Sequence, residues 1–179
     1  MEMKTLHRQQ VISAKRFNLR PIQKSDEGAL AQHFSDIRVA GMTREIAHPL
    51  PPGSVEVLIE RSMSDDHPED IWVMDGCATG MGEVLGAVGL ERMDRDQCEI
   101  SFWVAPGLWG AGIASEAIRA VLDANPMACR TIFASVFQDN SAPARVLTNF
   151  GFKYIGDAEY FSVARGAQVP TWTYARKME

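Results

Sequence analysis

Nowhere in the 179 residues does an apolar run approach the ~20 needed to cross a bilayer, so no membrane helix is expected. Met1 to Gln10 is too polar for the apolar region of a signal peptide, and a cytoplasmic location is the matching expectation. Cysteine is scarce. Cys77, Cys98 and Cys129 are odd in number and lack metal-ligand spacing, which speaks against a zinc site or a disulfide framework and leaves them as small buried fillers. The histidines, His7, His33, His48 and His67, contain no H-x-x-x-H pair, and no metal is expected. Positive charge is also short, with 18 Lys and Arg against 23 Asp and Glu and a net charge of −5. This charge argues against a broad nucleic-acid surface, which needs clustered cations, while the net field favours a cationic substrate such as an amine.

What is present suits one enzyme domain over residues 1–179, with residues 1–10 read as a flexible arm. Phe17 to Ile22 reads as a first strand, and Lys24-Ser-Asp-Glu opens a helix carrying Leu30, His33, Phe34 and Ile37 on one face. His48 to Gly53 is a Pro-rich loop, after which Ser54 can cap a helix through Val57, Leu58 and Met63. Ile71 to Met74, Glu83 to Leu90 and Cys98 to Val104 then read as three strands of an antiparallel meander. Further strands are expected at Thr131 to Val136, Phe152 to Ile155 and Thr171 to Ala175.

Between the third meander strand and the next helix lies Val104-Ala-Pro-Gly-Leu-Trp-Gly-Ala-Gly-Ile-Ala-Ser-Glu-Ala117. The first N–H groups of a helix lack partners within it, and the helix dipole adds partial positive charge, so this turn suits an anion such as a pyrophosphate. Gly107, Gly110 and Gly112 permit positive φ and keep a Cβ out of the way. Their order, G-x-x-G-x-G, is the reverse of the dinucleotide fingerprint, and no Lys-Ser/Thr follows as in a nucleotide-triphosphate loop. In the helix that follows, Ile113, Ala117, Val121 and Ala124 share a face up to Asn125-Pro126.

Downstream, Asn140-Ser-Ala-Pro-Ala-Arg-Val-Leu-Thr-Asn-Phe-Gly-Phe152 gives a short helix from about Ala142 to Phe150, with Pro143 in its first turn and Gly151 as its stop. Together these two segments resemble the GNAT N-acetyltransferases, whose acyl-CoA loop reads Gln/Arg-x-x-Gly-x-Gly/Ala and whose later segment ends in Gly-Phe. Gly107 stands where the family has Gln or Arg. The opening Leu19-Arg-Pro followed by Ser25-Asp26 resembles the branch that acetylates ribosomal-protein N-termini and small amines. That resemblance implies an α+β, sandwich-like fold: a mixed, mostly antiparallel sheet of six to seven strands with one splayed pair and about four flanking helices.

It also implies acetyl-CoA as acyl donor, held by Trp103 and Val104 on the splayed strand, by the turn residues Gly107, Leu108, Trp109, Gly110, Ala111, Gly112, Ile113 and Ala114, and by Asn140. The amides of residues 108 to 112 are the expected phosphate donors. As alternative roles, Trp103 and Trp109 read as packing residues and Asn140 as a turn or capping residue. The acceptor implied is a primary amine, either a protein N-terminus or a small amine, and a homodimer is the default assembly.

For catalysis, Glu99 on the splayed strand reads either as an ion-paired carboxylate or as a general base. The family's usual proton donors are replaced by Leu147 and Pro143, leaving Ser141 as a nearby hydroxyl and Tyr154 and Tyr160 unassigned. A thiolate with pKa ~8.5 leaves tolerably without a strong acid. Neutralising an α-amine at pH 7 costs about 1.4 kcal/mol and a lysine about 4.6 kcal/mol, so a weakly basic amine is the easier acceptor. The competing readings are an acyl-CoA-binding sensor without turnover and a transferase for longer acyl chains. Loops around residues 38–53 and 156–170, expected to line the cleft, carry no recognisable acceptor code.

Overall fold

A computed structural model describes residues 9–179. Of the expected flexible arm, residues 1–8 lie outside the described residues. Gln9 and Gln10 are fastened: Gln9 Nε2 donates to Ile71 O at 2.8 Å, and the Trp72 indole donates to Gln10 O at 2.7 Å.

Eight strands form one sheet in the order β1-β2-β3-β4-β5-β6-β8-β7. They are β1 (Ile12–Ser13), β2 (Asn18–Pro21), β3 (Glu69–Asp75), β4 (Gly86–Arg92), β5 (Gln97–Val104), β6 (Thr131–Phe137), β7 (Lys153–Ser162) and β8 (Ala167–Lys177). All neighbours pair antiparallel except β5 and β6. The count exceeds the expected six to seven because Ile12–Ser13 adds an edge strand. The supposed cleft loop over 156–170 is mostly a long hairpin of β7 and β8.

Helices α1 (Glu27–Phe34), α2 (Ile37–Ala40), α3 (Ser54–Met63), α4 (Ile113–Ala124) and α5 (Ala142–Asn149) cover the two faces. On one face α4 packs Ile113, Ala117, Ile118, Val121 and Leu122, and α5 packs Leu147, against Trp72, Leu90, Ile100 and Ile132. Each such large side chain, fully buried, contributes about 1.5 to 3 kcal/mol. On the other face Leu30 and Phe34 of α1 and Val55 and Ile59 of α3 pack against Val73. Among the described residues no helix is long and apolar enough to cross a membrane.

Three sequence expectations shift for local reasons. The first helix stops at Ser35 because Asp36 caps α2, accepting from the Arg38 N–H at 2.9 Å, and Ile37 is thereby left exposed. Ser54 lies inside α3, behind an N-terminal Gly53 at φ 79°, and the helix buries Val55 and Ile59 while Val57 and Met63 face outward. In α4 the buried stripe runs through Ile118 and Leu122, and Ala124 is exposed.

The cysteine expectation is corrected. Cys98 and Cys129 are buried and joined as a disulfide, their Cα atoms 6.1 Å apart across 31 residues, because β5 and the entry to β6 lie side by side. Cys77 is free and exposed, so it is not a buried filler.

At the start of the chain, Arg20 on β2 donates through both terminal nitrogens to Asp26 at 2.8 and 2.7 Å, and through Nε to Asp75 on β3 at 2.7 Å. Asp26 is 2% exposed and also accepts from the Gln23 N–H at 2.9 Å. The Leu-Arg-Pro and Ser-Asp segments are therefore one buried structural clamp that fixes α1 onto the sheet.

Candidate functional site

The parallel pair β5 and β6 meets only at Gln97 to Glu99 opposite Thr131 to Phe133. Beyond that, β5 stays paired with β4 out to Val104 opposite Gly86, and β6 stays paired with β8 out to Phe137 opposite Thr171. Each strand is held from its outer side, so the two diverge and leave inward-facing backbone groups free between them. The disulfide ties the closed end of this V beside Cys98.

At the open end the chain makes a 3-10 turn at Pro106–Leu108 and enters α4. Gly110 and Gly112 have φ of 78° and 76°, which glycine adopts without the steric cost other residues bear. Gly107 lies outside that region, so its freedom in φ is not what the turn uses. The N–H groups of Leu108, Trp109 and Ala111 are engaged within the turn, donating to Ala105 at 2.9 Å, Pro106 at 3.2 Å and Leu108 at 3.3 Å. This moves the free donors away from those three of the expected amides. The helix's first backward bond is Glu116 N–H to Gly112 O at 3.1 Å. Among the described residues, the N–H groups of Gly110, Gly112, Ile113, Ala114 and Ser115 meet no backbone carbonyl. Space over Gly107 and Gly110 is open to 4 Å, which suits a diphosphate.

Arg16, from the turn between β1 and β2, lies over Gly112, its terminal nitrogen 3.6 Å from where a Cβ would stand. Its Nε donates to Glu116 Oε2 at 2.7 Å and its backbone N–H to Oε1 at 2.6 Å. Burial alone would raise the Glu116 carboxyl, but these bonds outweigh it and hold it below the ordinary value. A guanidinium is thus present where the loop sequence, with Gly107, has none. Because it arrives from a segment about 95 residues upstream, no local motif announces it.

Side chains on β5 alternate as expected. Ile100, Phe102 and Val104 join the α4 face, while Glu99, Ser101 and Trp103 face α1 and α3. The Trp103 ring is packed between His33 and Phe34, each ring centre 5.4 Å away. Trp109 is 54% exposed and donates its indole N–H to Val104 O at 2.8 Å. Asn140 accepts from Ala142 N–H at 3.4 Å and directs Nδ2 to Met42 Sδ at 3.2 Å, so it shapes the α5 entry while lining the cleft. Ser141 is exposed and lies outside that lining, and Leu147 is fully buried.

Beside the split is a cavity of about 780 Å³ between the sheet, α1, α3 and the segment 42–50. Its roof is clipped by the β7–β8 hairpin: Val163 N–H donates to Arg44 O at 3.0 Å, and Arg165 donates to Gly41 O at 2.9 Å and to Asp139. Tyr160 lines it and stacks on Arg44, whose guanidinium carbon is 4.2 Å from the ring centre, whereas Tyr154 is exposed and donates to Asp157 at 2.8 Å. The hydroxyls of Ser135 and Thr171 are buried in the lining and have no partner among the described residues.

Four carboxylates, Glu45, Glu69, Glu91 and Glu99, and two guanidiniums, Arg44 and Arg61, border the cavity. Glu99 forms an ion pair with Arg44, which makes it a holder of the roof. Glu69 differs: burial, then the like charges of Glu45 and Glu91, push its carboxyl up to about 7 against the pull of Arg44 and Arg61. Sequence reading missed Glu69, Arg44 and Arg16. The available signal for the first was Gly89, a glycine in the interior of an apolar strand, which marks a close approach.

Comparison with known proteins gives three findings. The family described as Acetyltransferase (GNAT) domain matches residues 16–153. An uncharacterized N-acetyltransferase, YoaA of Bacillus subtilis, is 29% identical over 97 residues, 52% of this chain and 55% of that protein, so the chain spans about half the length of the curated relative it matches. In fold, the chain is similar to a ribosomal-protein-S5-alanine acetyltransferase from Vibrio fischeri, with TM-score 0.77, 19% identity and 96% and 98% of the two chains covered. It is likewise similar to a spermidine N-acetyltransferase from Vibrio cholerae solved with CoA and spermine, with TM-score 0.75, 17% identity and 91% and 96% covered.

Proposed function

The chain belongs to the GNAT acetyltransferase family, and from that premise we propose that it transfers an acetyl group from acetyl-CoA to a primary amine by direct transfer in a ternary complex. The single observation carrying this reading is the split between β5 and β6, with free helix-start amides at one end and an acid-bordered cavity alongside. Gly110, Gly112, Ile113 and Ala114 hold the diphosphate through main-chain N–H groups, and the Arg16 guanidinium beside Gly112 supplies positive charge. Gly107, Leu108, Trp109 and Ala111 shape that turn, and the backbones of Trp103 and Val104, with Asn140, line the path of the pantetheine arm.

Bound there, acetyl-CoA supplies a thioester, a carbonyl activated towards an amine. The residues of the chain bring the two reactants together and keep the amine oriented, which alone removes much of the barrier. An acid-bordered cavity attracts a cation, and the apolar side chains of Leu50, Val57 and Phe161 in its lining suit the first side chains of a peptide. The acceptor proposed is accordingly a protein N-terminal α-amine or a small amine, a reading supported by the two structural neighbours, one named for ribosomal-protein-S5-alanine and the other for spermidine. Thiol release from acetyl-CoA, measured with a panel of N-terminal peptides and polyamines, tests the reading. Calorimetric CoA binding with no thiol release on any amine would replace it with a binding module, the alternative favoured by the burial of Leu147 where the family has an acid.

A further inference from the structure

Glu69 stands at the start of β3, and the strand register sets Ile71 opposite Gly89 of β4 and Gly89 opposite Ser101 of β5. A Cβ at Gly89 would lie 2.2 Å from Glu69 Oε1 and 2.9 Å from Ser101 Oγ. The Glu69 carboxylate therefore occupies the space of the missing side chain over β4, a space that Ser101 of the strand bordering the split approaches from the other side. Ser101 is in the stretch of β5 that has already parted from β6. Glu69 borders the cavity from its floor, and it is not the carboxylate bound by Arg44, which is Glu99.

We propose that Glu69 is the base that takes the proton from the acceptor ammonium, delivered to the split by the absence of a side chain at Gly89. This rests on the acetyl-transfer reading above. An ammonium has no lone pair, so one N–H bond must give its proton to the Glu69 carboxylate before nitrogen attacks the thioester carbonyl. The C–N bond forms and the C–S bond breaks. The second nitrogen proton leaves with the sulfur as CoA thiol, and the proton on Glu69 passes to solvent through the cavity mouth. The charged and titratable groups around Glu69 are Glu45 and Arg44 from the roof, Arg61 from α3, Glu91 from β4, Glu99 from β5 and Tyr160 from β7. Their balance with burial leaves a carboxyl titrating at about 7, suited to exchanging protons near neutrality.

The test compares wild type with Glu69→Gln and Gly89→Ala across pH 5 to 9, using thiol release with the best peptide or polyamine acceptor and with an aniline, which is already neutral. Glu69→Gln is expected to lower kcat on the alkyl amine about 100-fold or more and to remove the acidic limb near pH 7. The same variant should keep the rate on aniline within a few-fold and leave calorimetric CoA binding unchanged. Gly89→Ala, which displaces the carboxylate, should reproduce the loss on the alkyl amine. Equal loss on both amines, or an unchanged acidic limb in Glu69→Gln, overturns the assignment while leaving the transfer reading intact. A wild type that binds CoA and acetylates no amine overturns both.

Discussion

Replacing Glu69 by Gln should stabilise the fold at pH 8 and leave it nearly unchanged at pH 5. Burial, with Glu45 and Glu91 nearby, raises this carboxyl from 4.5 to about 7, which means the folded state disfavours its ionised form. For an acid raised on folding, stability is fully present below the unfolded value and is lost as pH climbs from there through the folded value, here from about 4.5 to about 7. At ~1.36 kcal/mol per pH unit, that interval is worth at most about 3.5 kcal/mol. Half-burial in a cavity open to solvent reduces it, and about 2 kcal/mol is the expectation. Glutamine has the shape of the neutral acid and pays no such penalty. Urea unfolding of both proteins at pH 5 and pH 8 measures it. With a slope of ~2 kcal/mol per M, the midpoint of Glu69→Gln should exceed wild type by about 1 M at pH 8 and by much less at pH 5. An equal difference at both pH values would refute the placement of an unfavourable charge at this position. The measurement is independent of turnover, and it predicts that the group useful for catalysis is also costly to the fold.

Three further outcomes follow from other parts of the molecule. Asp26→Ala leaves Arg20 with Asp75 alone and should destabilise by about 3 kcal/mol, lowering Tm by about 6 to 12 °C in calorimetry, whereas the paired replacement Arg20→Met with Asp26→Leu should recover most of that loss. Gly110→Ala places a Cβ at φ 78° and should cost about 1 kcal/mol in stability while weakening CoA binding at least tenfold by calorimetry. Opening the Cys98–Cys129 bond with reductant releases a 31-residue closure and should lower stability by about 3 to 4 kcal/mol, read as a fall in urea midpoint that a Cys98→Ser variant reproduces without reductant.

The meander, α4 and α5 were legible because their signals are local. Alternation along Cys98 to Val104, the glycine-to-helix switch at Gly112, and Pro143 followed by Gly151 each fix a short stretch through its own backbone preferences. Helix faces were less legible. In α3, Val57 and Met63 are apolar, but the sheet lies on the side of Val55 and Ile59, and apolar character alone does not say which residues of a helix meet a partner. The glycine turn was recognisable as a helix start, yet which of its amides remain free depended on turn bonds made by Leu108, Trp109 and Ala111.

By itself, then, the sequence determined the three meander strands, the helices after Gly112 and Ser141, and that a helix begins with unpaired N–H groups beside three glycines. Only the tertiary structure decided what stands around that opening: Arg16 over Gly112, Cys98 bonded to Cys129, Glu99 neutralised by Arg44, and Glu69 lodged on Gly89. Each of those pairs joins residues tens of positions apart through tertiary packing, and the charge and burial that set their chemistry exist only once the fold has brought them together.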